Sequence, residues 1–308
     1  MATGKQPIIP LLSRFVRLQF APVMIGPVVL GTAAAWYLAK AFSPALFVLA
    51  LVGSVSLLLA ANAIDDVYDQ INGVDETADR LFPKEFPGWK PITRGAMTLR
   101  SGFAVSGALY ALSILIGLYL SLVVGWLALG IAVPGMLLSY FYTAPPLKLD
   151  YRGLGLGEAS ILLSFGPIPS LGAFYVLAGR VALLPAVLAL STGLLTVNVL
   201  LMHDLIFYEP YRQSGKRSLA VVLGAERTQA LVWGSTFLAY LIVFGLVASG
   251  EIPDASLLCV VALPLYLWSR ARIPEGVPPP VAFGTRTTRT FIHTFAFTVL
   301  LAAGLALG

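Results

Sequence analysis

The amino-acid sequence predicts an all-α fold, a polytopic membrane bundle of about nine helices, and three observations point there. Of 308 residues, 58% belong to the apolar set AVILMFWYC and only 11% are charged, against about 25% charged in a soluble domain. The mean hydropathy of +0.86 does not come from one anchor, because apolar residues run from near residue 18 to the C-terminus with short polar interruptions. Stretches such as Leu46 to Ala61 are apolar on every face, whereas the strands of a membrane barrel alternate over about ten residues.

Crossing about 30 Å of hydrocarbon takes roughly 20 helical residues. Runs of that order fall at 18–39, 43–64, 102–122, 124–143, 158–178, 181–203, 228–249, 254–270 and 290–307. Met1 to Pro10 lack the charged, apolar and small-residue succession of a removable leader. No Pro/Ser-rich linker or charge block divides the chain, so residues 1–308 read as one domain. The longest polar stretches are 65–100, 144–157, 204–227 and 271–289. The first and third each follow an even-numbered span and open with acids, which hints at an internal duplication. The single cysteine, Cys259, lies in an apolar run and excludes a disulfide framework or thiolate metal cluster.

A net charge of +5 raises the question of nucleic acid, but that partner needs basic residues gathered on one soluble face. Here they sit in short loops between spans. Lys and Arg of short loops stay cytoplasmic, and the N-terminus and the loops after spans 2, 4, 6 and 8 hold all but Lys40 and Arg180 of the 20 basic residues. Of the 15 acids, only Glu251 and Asp254 fall on the opposite side. Acids have little influence on topology, so their crowding on the cytoplasmic face asks for another cause, such as a site for a polyanion and a metal.

Span 2 ends in Asn62-Ala63-Ile64-Asp65-Asp66-Val67-Tyr68-Asp69. If the helix continues, Asn62, Asp66 and Asp69 share a face, and Asp65 and Asp69 stand one turn apart. Like charges at this spacing repel, and acids at a helix C-terminus oppose its dipole. The simple alternative is a solvated helix end. Three carboxylates within five residues instead call for a cation, and Mg²⁺ takes oxygen ligands from one or two carboxylates together with substrate phosphates. Downstream, Gly73, Asp75, Asp79 and Arg80 lead to the basic, turn-rich segment Lys90-Pro91-Ile92-Thr93-Arg94-Gly95.

This order of residues resembles the UbiA-type intramembrane prenyltransferases, and within them the 1,4-dihydroxy-2-naphthoate polyprenyltransferases of menaquinone biosynthesis. Asn62, Asp66, Asp69, Gly73 and Asp75 match the first aspartate-rich motif, and Arg17, Pro22, Pro27 and Gly31 the first-helix pattern. Tyr142, Tyr151-Arg152-Gly153-Leu154-Gly155, Glu158 and Phe165-Gly166-Pro167 resemble the fourth-loop and fifth-helix signature. Gly215-Lys216-Arg217-Ser218-Leu219 resembles the stretch after the sixth helix. The resemblance runs from about residue 14 to 224.

The second motif departs from the family. Its Asn, Asp, Glu and Asp would stand where this chain has His203, Phe207, Glu209 and Tyr211, with Asp204 alongside. Phe207 and Tyr211 share a helix face with His203, so aromatic groups occupy the place of carboxylates. Asp204 and Glu209, helped by His203, remain as metal ligands, although five residues is about 500° of helical rotation. The aromatic face is alternatively a shelter for a carbocation.

The resemblance implies a helical bundle around a dry central cavity that opens sideways to the bilayer and lies on the cytoplasmic side of the cell membrane. The implied reaction is Mg²⁺-dependent transfer of a polyprenyl group from its diphosphate to a small aromatic acceptor, a quinone precursor. Asn62, Asp66, Asp69 and Asp204 would be catalytic, and Asp65, Asp66, Asp69, Asp204 and Glu209 would hold metal. Arg17, Arg94, Lys148, Arg152, Lys216, Arg217, Tyr142 and Tyr151 would bind substrate. The plain alternative for each basic residue is a loop charge or lipid-headgroup contact. Tyr68, Tyr140, Phe165 and Tyr175 are further candidates for the cavity wall, against belt or packing roles. Asn198 could equally bridge two helices, and His293 reads as structural. Two rival functions are a UbiA-type terpene cyclase, in which the prenyl chain attacks itself, and a non-enzymatic membrane carrier.

Overall fold

The computed structural model describes residues 7–82, 90–273 and 276–308. Lys5, Lys84, Glu85 and Glu275, counted in the charge assignment, and residues 1–6 of the segment read for a leader lie outside the described residues. Among the described residues the secondary structure is entirely helical. In chain order the helices are α1 (Ile8–Phe15), α2 (Ala21–Ala39), α3 (Pro44–Ile71), α4 (Val74–Leu81), α5 (Leu99–Val124), α6 (Leu127–Phe141) and α7 (Leu156–Ser164). They are followed by α8 (Pro167–Ala178), α9 (Leu183–Ile206), α10 (Tyr208–Ser214), α11 (Leu219–Ala248), α12 (Leu263–Arg270) and α13 (Pro279–Leu307).

Among the described residues seven segments are long and apolar enough to cross a membrane, and the nine expected spans map onto them with two shortfalls. Span 124–143 becomes α6, only 15 residues because the chain turns at Gly125 (φ 119°) before it starts. Span 254–270 is a 3₁₀ stretch, Asp254–Ala262, that passes into α12. Span 158–178 is broken at Phe165 and Gly166, after which Pro167 starts α8 with a preset φ.

Large apolar side chains face outward all round the bundle, Leu122 at 71% and Phe237 at 70% exposure among them, as lipid-facing positions do. The interior is lopsided. On one side Leu30, Phe174, Leu188, Leu195, Phe297 and Leu301 close a solid core among α2, α8, α9 and α13. Gly31 lets α2 approach α8 so closely that a Cβ there would lie 2.1 Å from the Ser170 carbonyl oxygen. Asn198 on α9 donates to Thr236 Oγ1 (2.9 Å) on α11, so it bridges two helices. His293 is buried against the Tyr240 hydroxyl (3.1 Å) and Cys259 is fully buried.

On the other side α3, α5, α6 and α8 surround a cavity of about 250 Å³. Its walls are Met24, Leu58, Leu120, Leu138, Ile168 and Leu200, from six helices. From Leu49 to Asp65 it follows α3 for about 24 Å at 1.5 Å per residue. The 28 residues of α3 span about 42 Å, more than the hydrocarbon thickness. Its acidic end therefore stands at the membrane boundary while its apolar body crosses.

Candidate active site

At one end of the bundle the helices converge on one polar cluster. The α3 helix runs unbroken through Asn62, Asp65, Asp66 and Asp69 to Ile71, and Gly73, with φ 75°, reverses the chain into α4. Asp65, Asp66, Asp69 and Asp75 are all buried. Arg17 donates to Asp65 Oδ2 (2.8 Å) and to Asp66. Lys90 donates to Asp66 and stands 3.5 Å from Asp75. Lys216 reaches both oxygens of Asp69 at 3.2 and 3.3 Å and Asp150 Oδ2 at 2.8 Å. Tyr151 donates to Asp69 and accepts from Asn72 (3.3 Å), which in turn accepts from Lys148 (2.8 Å).

Two of these cations sit on strained backbone. Arg17 (φ 53°) and Lys148 (φ 44°) are two of the three non-glycine residues with positive φ among the described residues, at a cost of about 1–3 kcal/mol each. Such strain persists where the surroundings over-determine the geometry, and here both residues aim a charge into the cluster.

Seven carboxylates are buried among the described residues: Asp65, Asp66, Asp69, Asp75, Asp150, Glu158 and Asp204. They face Arg17, Lys90 and Lys216. An excess of buried negative charge is costly unless a cation or proton answers it. Accordingly, burial outweighs Lys90 and pushes Asp75 up to about 7. Burial likewise outweighs Lys216 and pushes Asp150 up to about 7. Burial alone would depress Lys216, but Asp150 and Asp69 hold its ammonium well above the ordinary lysine range.

The cavity meets this cluster at Arg17, Asn62, Asp65 and Tyr142, which form its polar end. Asn62 donates to the Val16 carbonyl (3.0 Å), tying α3 to the segment that carries Arg17. Of the aromatic wall candidates, Tyr142 and Phe165 line the cavity. Tyr68 and Tyr140 pair edge to face at 6.5 Å, and Tyr175 donates to the Val124 carbonyl (3.2 Å).

Several expected ligands lie elsewhere. Glu209 is not with the buried acids: α9 ends at Ile206, and the new start of α10 turns Glu209 outward, where it is 45% exposed and bound to Arg212 and Gln213. Arg152 is exposed and donates to the Leu147 and Pro146 carbonyls, stapling its own loop. Arg217 is exposed, and Arg94 binds Asp79 at 2.9 Å on the surface. The aromatic replacements do stack, His203 on Phe207 at 5.0 Å and Phe207 on Tyr211 at 5.7 Å. None of the three lines the cavity. Tyr211 instead lies over Lys216, 4.6 Å from ammonium to ring, with Tyr151 at 5.0 Å.

Sequence reasoning passed over Lys90 and Asp150 as site residues. Lys90 opens the basic segment 90–95, and Asp150 is an acid eight residues before Glu158 at the same end of the bundle. Asp150, Glu158 and Asp204 each offer an oxygen within 4.8 Å of the others.

The sequence matches the UbiA prenyltransferase family over residues 24–279. It is 34% identical over 262 residues to the 1,4-dihydroxy-2-naphthoate octaprenyltransferase of Mycobacterium tuberculosis, covering 83% of each chain. It is 26% identical over 224 residues to the enzyme of the same name from Bacillus subtilis, covering 73% of this chain and 69% of that one. In fold it is similar to a UbiA homolog from Archaeoglobus fulgidus bound to DMAPP and Mg²⁺, with TM-score 0.65, 16% identity, and 94% and 99% of the two chains covered. It is also similar to the apo UbiA homolog from Aeropyrum pernix, with TM-score 0.67, 16% identity, and 94% and 98% covered. A bundle hollow on one side, with an acidic helix end at the mouth of its cavity, thus joins a sequence match across most of its length: the chain belongs to the UbiA prenyltransferase family.

Proposed function

We propose that this protein transfers a polyprenyl group from polyprenyl diphosphate to a small aromatic acceptor of the 1,4-dihydroxy-2-naphthoate kind, with Mg²⁺, at the cytoplasmic face of a cell membrane. One observation carries the reading: the carboxylates of Asp65, Asp66 and Asp69 end a helix at the mouth of an apolar cavity of about 250 Å³. A substrate with a charged head and a hydrocarbon tail is the molecule that satisfies both halves. The names of the relatives supply the acceptor class.

The residues present suit a divalent ion. Asp65 Oδ1 and Asp75 Oδ2 are buried without a hydrogen-bond partner, and hard oxygen donors are what Mg²⁺ takes. Asp65, Asp66 and Asp69 would hold it. Bound there, the ion would offset the negative charge that grows on the departing diphosphate.

The protein's own cations complete this role. Arg17, Lys90 and Lys216 already lie against the same carboxylates and would turn to phosphate oxygens, Arg17 as a fork and the lysines as point charges. The apolar walls keep water from the allylic carbon once its C–O bond opens. The acceptor ring, held near Asn62 and Tyr142, would then bond to that carbon. The attacked ring carbon would lose the substituent that the prenyl chain displaces, as a proton or as CO₂, while diphosphate leaves with the electrons of the broken C–O bond. The basic loops of the polar end support its cytoplasmic orientation. The packing of α13 against both α2 and α9 supports reading residues 1–308 as one domain.

The test is incubation of the purified protein with a polyprenyl diphosphate and Mg²⁺, with and without 1,4-dihydroxy-2-naphthoate. Prenylated naphthoate formed only with acceptor is expected. Hydrocarbon formed without acceptor would select the cyclase instead.

A further inference from the structure

The Asp150, Glu158 and Asp204 group is separate from the acids of α3. Asp150 sits on the 3₁₀ turn Leu149–Tyr151, Glu158 in the first turn of α7 and Asp204 in the last turn of α9. Their exposures are 3%, 6% and 1%. Local sequence favours the gathering: a Cβ at Gly157 would lie 2.9 Å from Asp150 Oδ1, so only the bare backbone lets this turn fold onto α7.

Their partners leave a deficit. Asp150 Oδ2 accepts from Lys216, which Asp69 shares. Glu158 Oε1 accepts from the Leu219 N–H at 2.9 Å. The His203 ring stands 3.8 Å from Asp204. Asp150 Oδ1 and Asp204 Oδ2 are buried with no hydrogen-bond partner, and so is the Tyr142 hydroxyl. Buried carboxylate oxygens are rarely left this way. Ligand oxygens at about 2.1 Å from Mg²⁺ lie about 3–4 Å apart, and the oxygens of this trio, within 4.8 Å of one another, stand close to that spacing.

We propose that Asp150, Glu158 and Asp204 form a divalent-cation site of their own, across Lys216 from the acids of α3. The proposal rests on reading this end of the bundle as a metal and diphosphate site. It explains how a chain with Phe207 and Tyr211 in its second motif keeps a second cation: ligands are recruited from α7 and the turn before it, and Tyr211 covers Lys216. Lys216 then separates two metal positions. Filling the trio relieves Asp150 of its need for the lysine and frees Lys216 for a phosphate.

Equilibrium binding of Mn²⁺ alone to the full-length protein in detergent, read by electron paramagnetic resonance of the free ion, tests this without activity. Wild type should bind two ions per chain. Asp204→Asn and Glu158→Gln should each lose one and keep the other, and Asp66→Asn should lose the opposite one. Using both trio variants guards against a folding defect at the Leu219 contact of Glu158, and monodispersity on gel filtration is the control. Unchanged stoichiometry in both trio variants overturns the proposal. So does a single wild-type ion lost in Asp66→Asn but kept in Asp204→Asn, which leaves the α3 reading intact. An ion lost in Asp204→Asn while Asp66→Asn keeps both overturns the α3 reading and upholds this one.

Discussion

Lys216 and Asp150 form an ion pair of 2.8 Å in which both side chains are only 2% exposed. A pair so far from water is held together by its completeness, and removing one partner leaves an uncompensated charge. Lys216→Met is expected to destabilise the protein by about 3–5 kcal/mol and to reduce prenyl transfer at least about 100-fold. Thermal unfolding in detergent and initial rates check this. A variant with wild-type melting and turnover would show that Lys216 is a loop charge.

Glu209 and Asp204 should behave oppositely. Glu209 is 45% exposed in an i,i+3 pair with Arg212, an arrangement of little consequence, so Glu209→Gln should keep activity within about twofold. Asp204 is 1% exposed among two other acids, and Asp204→Asn should lower turnover at least about tenfold. Side-by-side rates decide it, and the reverse order would mean that α10 rearranges to bring Glu209 inward.

The cavity wall sets which tails fit. Gly117 lines the cavity, and a Cβ built there meets no atom within 4 Å. Gly117→Leu therefore has open space at its Cβ from which to add bulk to the cavity wall. It should raise KM for a long polyprenyl diphosphate several-fold while leaving a short donor unaffected. Equal effects on both donors would show that the tail lies elsewhere.

The pH dependence of the metal-free protein has a definite sign. Burial pushes Asp75 up to about 7 from an ordinary 3.8. Between these values the folded chain holds a proton that the unfolded chain has released, so stability falls as pH rises through the window. Asp150, also near 7, acts in the same direction. With EDTA present, melting should be higher at pH 5 than at pH 8, and Asp75→Asn should flatten the difference. A melting temperature that rises with pH would contradict the assignment.

The parts of this site that could be read from the chain were those set by local geometry. Asn62, Asp65, Asp66 and Asp69 lie within three turns of one helix, and helical periodicity alone places them together. Lys216 came through a short motif. The apolar runs located the seven described segments long enough to cross a membrane, including the one that the structure breaks at Gly166, and two more, 124–143 and 254–270, that it shortens at Gly125 or winds partly as 3₁₀. Lys90 and Asp150 could not be placed by periodicity, because their positions depend on how the segments after α3 and α6 fold back over the bundle. Glu209 was misplaced for a related reason. The sequence between Ile206 and Tyr208 keeps a helical character, yet Phe207 departs from helical geometry (φ −96°, ψ 15°), and that single break turns Glu209 to the surface. The same break leaves the His203, Phe207 and Tyr211 stack in place, so the aromatic face was foreseen but its client was not: it serves Lys216.

Whether the carboxylates of α3 drive the reaction is decided by Mg²⁺-dependent release of diphosphate from a polyprenyl donor in the presence of acceptor, compared between wild type, Asp66→Asn and Asp69→Asn. Wild type should release diphosphate in a way that EDTA abolishes and Mg²⁺ restores, and each variant should lose at least about 100-fold. Full release in EDTA, or by either variant, would show that these aspartates do not hold the metal that expels diphosphate.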